Sequence, residues 1–485
     1  TAFNGSALTA IGNDSFGRCA DLKTFTTAGN TLLQEVGERA FAGCESLVSF
    51  TVPSGVTEFS LLMFENCTSL AEIKYARGTS IGKIHNGAFY GCTALEKFDL
   101  PDGGLTTIGD QAFANCSALQ RFDVTEAVAY IGDFAFSGCK SFTSFTVPDS
   151  VYSFGNGALR GCDSLTELTV PFLGNSRGYE SYIAYTFGAT NRFSDGKNYL
   201  PSSLATVNVT GGNVIDSYAF NGCSDIIEIN LPQTIDTIGA NAFAACASLK
   251  ESNIPVGVTT IGERAFNGCS ALTELIVPRG VTSIGLDAFG GCSALKKLTV
   301  PFVGGTADAY SYLEYVFGKQ DIWTDGNVYV PSSLESVEVT AATRLGSYAF
   351  ANCAGVREIS LPDSLLNIGS HAFADCDALT SLTVPNSVTQ FDRGAFYGTS
   401  FEELTLPFVG RARAEYADDG DETKRLSYLF NGDYYFIPQR LKKITLTDTE
   451  YIADNAFSGF GYIEQIALDC AVEHISANAF NDCYR

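Results

Sequence analysis

The residues best equipped for chemistry are fifteen cysteines, and fourteen of them share one register. Aligned on A-F-x-G-C, the cysteine slot recurs at 19, 44, 67, 92, 116, 139, 162, 223, 246, 269, 292, 353, 376, 399, 460 and 483. Thr399 and Phe460 occupy the two slots without a thiol, and Cys470 lies outside the register. Thiols this regular could bind metal, form disulfides or fill space. Stacked coils would set successive thiols about 5 Å apart with parallel Cα–Cβ vectors. A disulfide instead needs Cβ atoms near ~3.8 Å and side chains turned toward each other. Zinc needs four ligands around a tetrahedron at about 2.3 Å, a shape that a straight ladder does not supply. The spacing therefore favours a small buried group that donates weakly to a backbone carbonyl, a role compatible with replacement by Thr or Phe. Slow reaction of the native thiols is expected, with Cys470 the candidate exception.

Other chemistry is sparse. His85, His371 and His474 fall in distant repeats and are not expected to meet. No nucleophile elbow, zinc-protease or phosphate-loop pattern occurs in the sequence. The acidic run at 418–422, DDGDE, lacks the alternating ligand spacing of a calcium loop and reads as a solvated loop. No enzyme activity, metal or cofactor is expected. With 54 acidic against 30 basic residues the net charge is −24, and no Lys/Arg patch offsets it, which argues against a nucleic-acid partner. No apolar run reaches the roughly 18 residues needed to span a bilayer.

The elements that position these residues follow from the repeat. Slots lie 23 to 25 residues apart except for three intervals of 61, so the chain reads as one array of stacked units over 1–485. In residues 261–278, IGERAFNGCSALTELIVP, the second half alternates Leu272-x-x-Leu275-x-Val277 as a strand with one buried face, ended by Pro278. The first half spaces Ile261, Ala265, Phe266 and Cys269 as a turn of α- or 3₁₀-helix laid on the strands, closed by Gly268 where φ > 0 is convenient. Eighteen such strand motifs predict an α/β, β-rich solenoid of about 18 coils, with one parallel sheet on its concave side and short helical turns opposite.

The motif I-G-x-x-A-F-x-G-C-x-x-L-x-x-L-x-L-P resembles the BspA-like leucine-rich repeat, also called the Treponema pallidum type. The resemblance covers essentially the whole chain and implies a right-handed leucine-rich-repeat superhelix. It further implies a surface or secreted protein, since members are mostly of that kind in host-associated bacteria and some protists, and several look like adhesins. On that basis an extracellular or cell-surface location is expected, with any signal peptide or anchor outside these residues.

The three long intervals hold insertions at about 171–203, 301–333 and 407–440, rich in aromatic residues. The candidate binding residues are Tyr179, Tyr182, Tyr185 and Phe193 in the first. Tyr310, Tyr312, Tyr315 and Trp323 follow in the second, and Tyr428, Tyr434 and Tyr435 in the third. Tyr182/Tyr185 and Tyr312/Tyr315 stand at i, i+3, so a short helix could present each pair on one side. Two readings apply: a small core that folds each insertion back on the solenoid, or aromatic recognition loops for a host or neighbouring-cell protein or glycan. An outward strand column of Thr51, Thr146, Thr169, Thr299, Thr383, Thr405 and Thr445 reads as β-propensity and solubility. A structural protein joined head to tail is the alternative, because the sequence starts and stops within turn units that carry no polar cap.

Overall fold

The protein is described by a computed structural model covering residues 7–27, 32–101, 104–176, 181–307, 312–321, 329–413, 421–432 and 436–483. It divides into two units, residues 1–235 with 242–249, and residues 236–241 with 250–485. Both are parallel-strand solenoids. In the first, strands Ser144–Thr146, Glu167–Val170, Thr206–Val209 and Glu228–Asn230 form one parallel sheet. In the second, Glu274–Ile276, Lys297–Val300, Ser336–Val339 and Glu358–Ser360 form another. A further sheet there joins Ser381–Thr383, Glu403–Leu406, Lys443–Leu446 and Gln465–Leu468. These are the strands that the Leu-x-x-Leu-x-Val alternation predicts.

The other half of the repeat differs from expectation in detail. Its Thr-Ile pair is itself a short strand, so each unit carries a second parallel ladder. In the first unit Glu58–Phe59, Lys83–Ile84, Thr107–Ile108, Tyr130–Ile131 and Ser153–Phe154 run side by side. The stretch that follows is a non-helical turn. In residues 264–269 the amide N–H groups of Arg264, Phe266 and Gly268 donate forward to the carbonyls of Leu286, Ala288 and Gly290, at 2.7 to 3.1 Å. Those of Asn267 and Cys269 turn back to Arg264 and Phe266. Past its first turn, a helix bonds each N–H to a carbonyl three or four residues back in its own segment. Here alternate amides leave for the next coil, which requires left-handed backbone at Arg264 (φ 55°) and Gly268 (φ 78°).

Phenylalanine fills the interior. Phe41, Phe64, Phe89, Phe113 and Phe136 stack coil on coil with centroids 5.2 to 5.6 Å apart. Phe50 in its strand and Phe98 at the matching position of a coil without one meet them edge-on at 5.2 and 4.9 Å. Each such pair adds about 0.5–1.5 kcal/mol beyond its buried area.

Candidate binding surface

The thiols take the part the spacing favours. Cys67 Sγ donates to the Phe41 carbonyl at 3.1 Å, Cys92 to Phe64 at 3.1 Å, Cys246 to Phe220 at 3.2 Å and Cys376 to Phe350 at 3.2 Å. Each phenylalanine carbonyl thus accepts the thiol one coil on as well as the amide of its own cysteine. Burial pushes the Cys162 and Cys292 thiols up to about 12, which keeps them protonated donors. Cys223 and Cys353, the first cysteines after an insertion, donate to the Asn221 and Ala351 carbonyls at the longer distances of 4.0 and 3.9 Å. The coil before them carries a proline in place of A-F-x-G-C, so the usual carbonyl is missing. Cys19 is exposed, which the register alone does not disclose, and Cys470 is half-buried.

The histidines occupy separate turns, as their sequence positions imply. His85 reaches Glu58 at 3.0 Å, His371 stacks on Tyr348 with centroids 5.1 Å apart, and His474 stacks on Tyr451 at 5.3 Å. Of the acidic run, residues 418–420 lie outside the described residues. Asp421 caps the 3₁₀ turn Glu422–Lys424 by accepting the Thr423 amide at 2.9 Å.

The three insertions are built alike. Strand residue Glu167 pairs with Thr206, a step of 39, whereas Ser144 pairs with Glu167, a step of 23. Some sixteen extra residues are therefore accommodated between neighbouring strands without disturbing the ladder. The same steps recur at Lys297↔Ser336 and Glu274↔Lys297.

In each insertion a short helix replaces the repeat turn. Gly157 and Leu159 donate to the carbonyls of Tyr185 and Thr186 in the 3₁₀ segment Ile183–Phe187, whose own first amide donates to Ala219 at 2.9 Å. Asp287 and Phe289 bond likewise to Tyr315 and Val316 in Leu313–Phe317, and Leu313 to Ala349. Gly394 and Phe396 bond to Tyr428 and Leu429 in the α-turn Leu426–Leu429, and Leu426 to Ala456. Gly188 and Gly318 close the first two turns with φ of 100° and 109°, left-handed conformations that favour glycine.

The candidate residues divide accordingly. The i, i+3 tyrosines do meet, Tyr182 with Tyr185 at 5.9 Å and Tyr312 with Tyr315 at 6.3 Å, both edge to face. They are not presented together on an outer side. Tyr182 is buried in a cluster with Ala184 and Ala189, and its hydroxyl donates to the Ala189 carbonyl at 3.4 Å. Tyr185, Tyr312, Tyr315 and Tyr428 are half-buried, because each turn must close on the coils either side.

Phe193 stands out from the protein, 61% exposed, with its ring against Tyr218 at 4.8 Å and the Arg192 guanidinium 5.7 Å from its centroid. Phe436 is exposed in the third insertion and rests on Tyr397 at 5.1 Å. Tyr199 is also exposed. Tyr179, Tyr310, Trp323, Tyr434 and Tyr435 lie outside the described residues.

Sequence reasoning missed a charged pair inside the second insertion. Glu314 and Lys319 meet at 2.8 Å with 2% and 3% of their side chains exposed. Glu314 also accepts from Asn352 Nδ2 at 3.3 Å and from the Tyr329 amide at 3.4 Å, while Lys319 Nζ lies 6.0 Å from the Tyr329 ring centroid. These contacts replace part of the hydration that burial removes. The signal was hidden because the pair spans the Gly318 cap, five residues apart, outside the usual helical pairing distance.

Parallel strands repeated at 22 to 25 residues around a phenylalanine core define a leucine-rich-repeat solenoid. The chain belongs to the family described as the BspA type leucine-rich repeat region, which matches residues 3–83, 78–183, 199–313, 326–411 and 429–485. Among solved structures, a leucine-rich repeat protein of Bacteroides ovatus is 22% identical, over 90% of this chain and 86% of that one, with a TM-score of 0.30. A leucine-rich cell surface protein of Faecalibacterium prausnitzii is 18% identical over 97% and 90%, with a TM-score of 0.23. The leucine-rich repeat protein of Treponema pallidum is 21% identical over 51% and 82%, with a TM-score of 0.24. Comparison with curated proteins gives no match.

Proposed function

We propose that this protein is a non-enzymatic scaffold at the cell surface or outside it, binding proteins or glycans of a host or neighbouring cell through the outward rings of its insertions. The observation that carries the reading is Phe193. Its ring is exposed and at the same time held in place by Tyr218 and Arg192. Held rings lose little entropy on binding, which is why aromatic side chains dominate recognition surfaces. Phe436 on Tyr397 repeats the arrangement. Tyr179, Tyr310, Trp323, Tyr434 and Tyr435 join the proposal by their place in the sequence. Tyr182 serves the interior and is left out of it. The family supplies the scaffold role, and the cell-surface description of the Faecalibacterium protein supports the location.

The test is an array of extracellular proteins and glycans probed with the native protein and with a Phe193→Ala/Phe436→Ala variant. Point changes are needed because removing a whole insertion would also remove the turn that bonds to Gly157 and Ala219. The reading expects partners retained by the native protein and lost by the variant. Equal retention by both would exclude the rings.

A further inference from the structure

One regular coil of the second unit has lost its strand. In the sixteen other strand motifs from Ser49 onward, the central inward position holds Phe, Ile, Leu or Val; in residues 249–255, LKESNIP, it holds Ser252. The next residue, Asn253, adopts left-handed backbone with φ 39°. Both changes work against a strand: Ser252 gives the core little to bury, and a left-handed residue breaks the pleat. Residues 250–254 form no strand, and Glu274–Ile276 is left as the edge of its sheet.

A groove of about 820 Å³ lies between that edge and residues 250–254, a size within the roughly 300–1,000 Å³ of ligand clefts. The ladder one coil on tells which main-chain groups face it. There Lys297 donates back to Thr273, and Val277 donates forward to Thr299. Backbone direction alternates along a strand, so the main-chain groups of Glu274 and Ile276 point into the groove. Among the described residues, neither is bonded to residues 250–254. Ile276 also replaces the Thr or Asn usual in its outward column and is 54% exposed; Val256, across the groove, is 77% exposed.

We propose that this groove binds an extended polypeptide segment, which pairs by its main chain with Glu274–Ile276 and sets apolar side chains on Ile276 and Val256. Open strand edges bind peptides in this way, with affinity from the main chain and selectivity from alternate side chains. A second interruption sharpens the choice. Glu358–Ser360 and Ser381–Thr383 also end their sheets, beside a groove of about 400 Å³. The positions that match Ile276 and Val256 there are Thr383 and Asp363, so it offers no apolar seat. The site is separate from the insertion rings and stands or falls independently of them.

The experiment pans a display library of random linear peptides on the native protein. It then measures the selected peptides against three variants: Ser252→Leu/Asn253→Thr, which restores the repeat pattern, Ile276→Pro, which removes one groove-facing N–H, and Phe193→Ala/Phe436→Ala. Binding weaker by at least about tenfold is expected for the first two, and unchanged binding for the ring variant. Bound peptide should slow amide exchange at Glu274 and Ile276 by at least about tenfold. The restored coil is expected to be more stable than the native one, so its loss of binding would not reflect misfolding. The proposal is overturned if no peptide prefers the native protein to the restored coil, if binding is lost in the ring variant instead, or if both amides exchange at the free rate in the complex.

Discussion

The first and second insertions share their length, their tyrosine pair and their left-handed glycine, yet they fill the same interior position in opposite ways. Ala184 and Ala189 pack against Tyr182 in one; Glu314 and Lys319 form a buried ion pair in the other. Tyr182 and Tyr312 both send their hydroxyls to the carbonyl at the end of the turn, Ala189 at 3.4 Å and Lys319 at 3.1 Å. The turn is thus held by backbone bonds common to both, and its filling is free to vary. A buried pair stabilises little compared with apolar packing, but half of one is costly.

That asymmetry sets the largest expected effect. Glu314→Ala alone leaves Lys319 buried without its carboxylate and should cost about 3–5 kcal/mol, read as lost amide-exchange protection over Leu313–Phe317. Ala184→Glu in the first insertion should do comparable damage for the same reason. Glu314→Ala/Lys319→Ala reproduces the first insertion's filling and should recover most of the loss, ending within about 2 kcal/mol of native. If the double change is as damaging as the single one, the two fillings are not interchangeable.

Smaller effects separate regular coils from those that follow an insertion. Cys246→Ala removes a thiol bonded at 3.2 Å, whereas Cys223→Ala removes one 4.0 Å from its acceptor. The first should cost about 0.5–1.5 kcal/mol more in chemical denaturation. Phe193→Ala removes one exposed ring pair and should change stability by about 1 kcal/mol or less, which allows its effect on binding to be read separately.

Much of the fold was legible because the repeat states it many times. Leu272, Leu275 and Val277 mark a strand in any one coil, and the A-F-x-G-C register places the next. The second ladder was not legible, since Thr260–Ile261 is too short to show alternation. Nor was the non-helical turn: Ile261, Ala265, Phe266 and Cys269 fit helical spacing, and only the coil-to-coil bonds decide against it. In the insertions, aromatic content located the candidate surface but did not say which rings face outward. Tyr182 and Phe193 look equivalent in sequence, and the difference is set by the turn that buries one and the Tyr218 ring that supports the other. The anchors Tyr218 and Tyr397 are hard to see in sequence because they lie in ordinary repeat turns; an aromatic residue beside A-F in a coil next to an insertion is the available signal.

The most direct test of the account is the affinity of the native protein for a partner retained on the array, compared with that of the Phe193→Ala/Phe436→Ala variant. The account predicts binding weaker by at least about tenfold with the melting curve little changed. Equal affinities would contradict it, and would make the insertions a means of closing the solenoid with no part in recognition.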